Sequence, residues 1–182
     1  MHARLVDGII CIGGGAGGHA SIQSSFSLVR EIREFWDGCL VLGGGINDGY
    51  QVRAAEMLGA DLAYMGTRFI AAQESQAQAE YKQMIVDCGV KDLIYSDRFS
   101  GVSANFLLPS ITRFGIDPAT LPPKKPDVSG LADTDAKAWK DVWSAGHGVA
   151  TIHDIPTVAE LGQRITREYR DACRVPISSA VA

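Results

Sequence analysis

A histidine set inside a run of glycines is the first chemically suggestive feature of the chain: Gly15-Ala16-Gly17-Gly18-His19-Ala20. Imidazole titrates near neutrality, so it can take a proton from a carbon acid or return one. The glycines before it leave room for a flat ring system against the backbone. On its own, a single histidine in such a loop is explained equally well as a surface residue. Two further stretches change its setting: Val41-Leu-Gly-Gly-Gly-Ile-Asn-Asp-Gly49 and Ala63-Tyr-Met-Gly-Thr-Arg-Phe69. Each is an apolar run ended by glycine and followed by a helical pattern. Backbone N–H groups there can approach a phosphate closely, because no Cβ intervenes. Thr67 adds a hydroxyl, and the helix after it adds a partly positive end. One triple-glycine loop could merely turn the chain. Two glycine-bearing loops at neighbouring strand ends favour phosphate binding. The P-loop ending GK[ST] is absent, and Gly13 to Gly18 is not a dinucleotide fingerprint, since no helix follows at once.

These loops need a scaffold, and the spacing supplies one. Asp7–Ile12 is a continuous apolar run, as expected of a strand buried on both faces. Ser21 to Trp36 carries Phe26, Val29, Ile32 and Phe35/Trp36 at helical spacing, with Gly38 as a stop. Cys39–Leu42 is a second strand. Asp48 is placed to cap a helix through Gln51–Leu58, which Gly59 closes. Asp61–Met65 is a third strand. Strands alternating with helices predict a parallel sheet with right-handed crossovers. Ligands of such sheets bind at the carboxyl ends of the strands, where all the glycine clusters fall.

Later segments are less regular. Gln76–Cys88 reads as a helix with Ala79, Met84 and Ile85/Val86 on its apolar side. Asn105–Arg113 reads as a short helix interrupted near Pro109. Residues 118–126 (PATLPPKKP) hold four prolines and read as an extended connector or lid. Lys137–Trp143 is a short amphipathic piece, with Trp139 and Trp143 one turn apart as a packing face. Thr157–Tyr169 is a terminal helix with Val158, Leu161, Ile165 and Tyr169 on one side. The tail from Pro176 is expected to fray.

Composition narrows the function classes. The 182 residues are 46% hydrophobic and 21% charged, with a net charge of −4. A packed core follows, and the basic face of a nucleic-acid binder is missing. No apolar run reaches the roughly 18 residues of a membrane helix. Cys11, Cys39, Cys88 and Cys173 are widely spaced in apolar settings, which predicts buried free thiols in a reducing cytoplasm and no metal site. His147, between two glycines, could line a pocket or decorate a loop; His153 and His2 read as bland. Arg68 is placed to pair with an acidic neighbour. Asp92, Asp97 and Asp127 are scattered and form no paired-carboxylate site.

GGGAGGHAS, VLGGGINDGYQVRAAEMLGADLAYMGTRFIA and AWKDVWSAGHG, in that order, resemble the nitronate monooxygenase family, once called 2-nitropropane dioxygenases. The resemblance runs from about Asp7 to about Ala172. It implies an FMN-dependent (β/α)8 barrel with an inserted helical segment. Carried over position by position, His19 resembles the catalytic base, acting on the α-proton of a nitroalkane or on the nitronate. Gly18 resembles a residue against the flavin. Gly43, Gly44 and Gly45, with Met65, Gly66 and Thr67, resemble the FMN-phosphate binders, and Ser144 resembles a serine near the active site. The implied reaction oxidises an alkyl nitronate with O2 to a carbonyl compound and nitrite. The MGTRF and AGGH elements are shared with FMN-type enoyl-acyl-carrier-protein reductases, which keeps that activity open as an alternative. One departure is Tyr50, where the family pattern has glycine or arginine.

A complete barrel of this kind takes about 250 residues. With three clear strands, the chain is expected to be the second half of a (β/α)8 TIM barrel within the α/β class. The expected division is barrel strands and helices over 1–72, a helical insert and connector over 73–143, a closing loop and terminal helix over 144–175, and a tail over 176–182. Half a barrel exposes sheet edges, which invites a homodimer. Standing alone, it would hold flavin weakly and turn over little, and an inactive phosphate-binding half-barrel is a third reading.

Overall fold

The computed structural model describes residues 6–99, 101–121 and 142–175. Lys137–Asp141, most of the proline-rich connector and the tail from Pro176 therefore lie outside the described residues, as do Trp139, Asp127 and His2. Among the described residues no helix is long and apolar enough to cross a membrane.

Three strands form a parallel sheet in the order β1 (Gly8–Ile12), β3 (Cys39–Gly43), β4 (Leu62–Tyr64). Register runs Ile10 beside Val41 beside Leu62, and Ile12 beside Gly43 beside Tyr64. Helix α1 (Ser25–Arg33) and helix α2 (Gly49–Leu58) provide the crossovers. Ser24 caps α1 through its hydroxyl, and Asp48 caps α2 by accepting from the Gln51 N–H. Gly59 closes α2 at φ +112, a left-handed turn that side chains resist. Leu40 and Leu42 of β3 point with Cys11 into a core shared with Val29, Ile32 and Trp36.

Among the described residues the sheet is covered on one face only. The expectation that the first strand is buried on both faces fails at Ile10, which is 62% exposed, and Leu62 in the same row is 58% exposed. The helices cover the side of Leu40 and Leu42, and residues alternating with them face away. Phe26 and Phe35 are likewise exposed, so the buried stripe of α1 is narrower than its sequence suggests.

A second sheet is antiparallel, in the order β2 (Gly18–His19), β6 (Ala104–Leu107), β5 (Leu93–Ser96). Its strands β5 and β6 lie in the stretch read as helical insert. Asn105–Leu107 is thus strand and not helix. Helix α5 (Leu108–Thr112) begins after it, with Pro109 in the first turn, where a missing N–H is harmless. Helix α3 (Thr67–Ile70) follows β4, and helix α4 (Ala79–Asp87) buries Ile85 against Leu107, Trp143 and Ile152. The terminal helix α6 (Val158–Cys173) has a capping box of Thr157 and Glu160 and buries Leu161. It packs on α2 so closely that a Cβ on Gly49 would overlap the backbone of Tyr169.

All four cysteines are free thiols, yet Cys39 and Cys173 are exposed, against the expectation of burial. Cys39 is the first residue of β3, and Cys173 is the last of α6. Burial pushes the Cys11 and Cys88 thiols up from their ordinary pKa.

Candidate functional site

Strands β1, β3 and β4 all run towards one end of their sheet, and a cavity of about 160 Å³ lies there. Gly43, Gly44 and Gly45 form one wall, continued by Asn47. Tyr64, Gly66 and Thr67 form the next, with Ile70 of α3 behind them. Gly17 and His19 close a third side, and Ser144 and Gly148 a fourth. Stretches far apart in sequence are thereby brought to one opening.

The glycines are needed for two different reasons. Gly44 and Gly45 sit at φ +121 and +74, where an L side chain is strained. Gly66 has an ordinary φ of −105, and a Cβ built on it would meet nothing within 4 Å. Neither conformation nor packing asks for glycine at Gly66. Beside Gly45, whose Cβ would find its nearest atom only at 3.9 Å, it leaves open space on the cavity side.

The segment 144–151 binds these loops together. The His147 N–H donates to Gly15 O at 2.9 Å, and the Gly146 N–H donates to Thr67 Oγ1 at 2.9 Å. Asn47 Nδ2 donates to Gly148 O at 2.5 Å and to Thr151 Oγ1 at 3.1 Å. Asn105 Nδ2 donates to Gly14 O and Ala16 O, at 3.0 and 2.7 Å, and so shapes the first glycine loop. The Tyr81 hydroxyl donates to Ser144 O, while its ring stacks on Trp143 at 4.9 Å between centroids. Gly146 approaches so closely that a Cβ there would overlap Gly15 O.

The residues singled out in the sequence divide clearly. His19, Gly43, Gly44, Gly45, Gly66, Thr67 and Ser144 line the cavity. His19 is exposed at its mouth, in β2, paired with Ala104. Gly18 is buried beside it at φ +71 and does not line the cavity. Met65 packs against the core of the parallel sheet. His147 faces a separate groove with Gly14, Gly15 and Tyr95. His153 is exposed and lines neither. Tyr50 is 52% exposed, so its side chain leaves the first loop undisturbed.

Asn47 and Asn105 escaped the sequence reading. Asn47 stands inside the quoted GGGIND motif, and a polar amide between a glycine loop and a helix cap was an available signal. Asn105 carries no such mark, because its partners lie roughly ninety residues away.

The electrostatics suit an anion. Among the described residues no carboxylate lines the cavity. Arg68, directly after Thr67, is 3% exposed and pairs with Asp154 at 3.2 Å. Asp154 also pairs with Arg164 at 2.5 Å, which holds its carboxyl below the usual range, with Arg68 adding to the effect. Burial draws the Arg68 guanidinium down from its ordinary pKa, while Asp154 opposes that effect.

Comparison with known proteins matches residues 1–168 to the family model described as nitronate monooxygenase. A nitronate monooxygenase of Paraburkholderia phytofirmans is 28% identical over 94% of this chain and 51% of its own length. One from Pseudomonas aeruginosa is 30% identical over 93% and 53%. The chain thus spans about half the length of the curated relatives it matches. Among solved structures, nitroalkane oxidase from Streptomyces ansochromogenes superposes with a TM-score of 0.77 at 27% identity, over all of this chain and 55% of that one. FabK from Thermotoga maritima, at 23% identity and a TM-score of 0.72, shares the fold.

Proposed function

Since the chain belongs to the nitronate monooxygenase family, we propose that its strand-end cavity grips FMN by the phosphate and serves the oxidation of alkyl nitronates with O2 to carbonyl compounds and nitrite. The observation that carries this reading is Gly66. A glycine that neither backbone conformation nor packing requires, opening onto a cavity walled by Gly43–Gly45 and Thr67, fits a ligand occupying the space a side chain would take.

The cavity's size sets how much of the ligand it encloses. About 160 Å³ accommodates a phosphate and the start of a ribityl chain, whereas pockets for whole drug-sized ligands take roughly 300 Å³ or more. The ring system would lie beyond the enclosed part, over the Gly17–His19 side. Bound FMN would supply the redox chemistry. Gly44 and Gly45 would present N–H groups to the phosphate, and the Thr67 hydroxyl, already accepting from Gly146, keeps its proton free to donate there. Gly18 would set the height of the loop against the flavin, and Met65 would hold the second loop to the core. His19 would remove the α-proton of a nitroalkane or steady the negatively charged nitronate, and Ser144 stands across the same opening. The free thiols fit a reducing cytoplasm.

The test uses the purified protein. Weak flavin absorbance that depends on added FMN, together with slow O2 uptake and nitrite release on addition of an alkyl nitronate, is expected. NADH consumption with an enoyl thioester and none of these signals would replace the proposal with enoyl reduction. No flavin uptake at all would remove both.

A further inference from the structure

Arg68 is a charged side chain without an obvious reason to be buried. Its guanidinium is 3% exposed, yet it neither lines the cavity nor reaches solvent. Nη2 donates to Ala71 O and to Asp154 O, both at 2.7 Å, and Nη1 donates to Asp154 Oδ1 at 3.2 Å. Its Nε–H is buried with no hydrogen-bond partner among the described residues. Burying a guanidinium is costly, and an orphaned donor adds to the cost. A purely mechanical tie between α3 and the 152–156 segment could be made by neutral groups.

The arrangement of charge distinguishes this arginine. Its only carboxylate partner among the described residues, Asp154, is 42% exposed and is held in two hydrogen bonds by Arg164, at 3.0 and 2.5 Å. Glu168 and Glu160 add smaller attractions to Arg164. Asp154 is therefore shared and screened by water, while the Arg68 charge sits in the low-dielectric interior. Arg68 follows Thr67, and Thr67 and Ile70 both line the cavity. Arg68 thus carries a buried positive charge on the same short helix whose Thr67 and Ile70 line the wall assigned to the phosphate.

Resting on the FMN reading above, we propose that Arg68 is a positioning residue for the anionic end of the cofactor. It acts in two ways. It locks the short helix α3, through Ala71 O and the Asp154 backbone, so that Gly66 and Thr67 face the cavity. It also lends the cavity a fixed positive potential without touching the phosphate. The chemistry recognised is a phosphate monoester carrying up to two negative charges, which separates FMN from unphosphorylated riboflavin.

The two flavins form the test, with affinities read from quenching of flavin fluorescence. The wild-type protein is expected to bind FMN more tightly than riboflavin. Arg68→Met should lower FMN affinity about tenfold or more while changing riboflavin affinity little, since only the charged ligand feels the lost potential. Arg68→Lys should recover part of the preference, because the charge returns without the fork of donors. If Arg68→Met does not fold by circular dichroism, Asp154→Asn takes its place, since Asp154 is partly exposed. Removing that negative charge should leave the FMN-to-riboflavin preference unchanged or raise it, and a fall in the preference would overturn the proposal. An Arg68→Met protein that folds and keeps the wild-type ratio would also overturn it, leaving the FMN reading intact. A wild-type protein that binds both flavins equally would overturn the phosphate grip itself and this inference with it.

Discussion

The Thr67 hydroxyl oxygen accepts a hydrogen bond from the Gly146 N–H at 2.9 Å, across 79 residues of sequence. The bond is buried, and it joins the loop after β4 to the segment that closes the cavity. Thr67→Val should leave the Gly146 N–H buried without an acceptor, at about 1–3 kcal/mol of stability. Thr67→Ser keeps the oxygen and should cost less than half as much. Urea denaturation of the three proteins checks this. Equal midpoints for Thr67→Val and wild type would mean the segment is held by its other bonds alone.

Gly66 and Gly49 should respond oppositely to the same substitution. Gly66→Ala adds a methyl to open space at an ordinary φ, so stability should change by less than about 1 kcal/mol. Flavin-phosphate affinity should nevertheless fall, by about tenfold if the methyl takes the ligand's place. Gly49→Ala forces α2 and α6 apart at Tyr169 and Ile165, which should cost at least about 2 kcal/mol. Thermal melts and FMN titrations of both variants separate a binding glycine from a packing glycine. An FMN affinity untouched by Gly66→Ala would remove that residue from the site.

The parallel sheet was legible because its cues are local. Leu40 and Leu42 read as strand, Asp48 and Gly59 mark the ends of α2, and Gly43–Gly45 announce the loop between them. Much of the cavity's lining was legible for the same reason. The second sheet was not. Two-residue β2 carries no periodicity, and Asn105-Phe-Leu-Leu reads as the start of a helix although Tyr95 and Gly18 pair beside Asn105 in the sheet. In the same stretch Pro109 begins a helix where its sequence position suggests an interruption. Composition overstates burial wherever geometry decides it. Ile10 and Cys39 are apolar in sequence but lie on a face or an end that nothing described covers.

Acid should weaken the fold through specific carboxylates. Asp61 accepts from the Leu40 N–H at 2.8 Å and pairs with Arg33 at 2.7 Å, and both contacts hold its carboxyl below the usual range. Arg164, and then Arg68, do the same for Asp154. Such groups bind fewer protons folded than unfolded. Their contribution is therefore present above an unfolded carboxylate pKa of about 3.9 and is lost as pH falls through the lower folded values. Urea midpoints should drop between about pH 5 and about pH 3, and Asp61→Asn should shrink that drop. An unchanged drop in Asp61→Asn would show that other carboxylates carry it.

His19 offers the sharpest division of roles, because substrate chemistry can bypass it. It is exposed in β2, so His19→Ala should still fold, as circular dichroism checks, and leave FMN affinity near wild type. A neutral nitroalkane must lose its α-proton before oxidation, whereas a pre-formed nitronate has already lost it. If His19 is the base, turnover of the nitroalkane should fall by about 10²–10⁴, while turnover of the nitronate falls far less. If His19 instead steadies the anion, both should fall together. Oxygen-electrode traces with each substrate form decide between them. Unaltered turnover of both would show that the imidazole, although it faces the cavity, takes no part in the reaction.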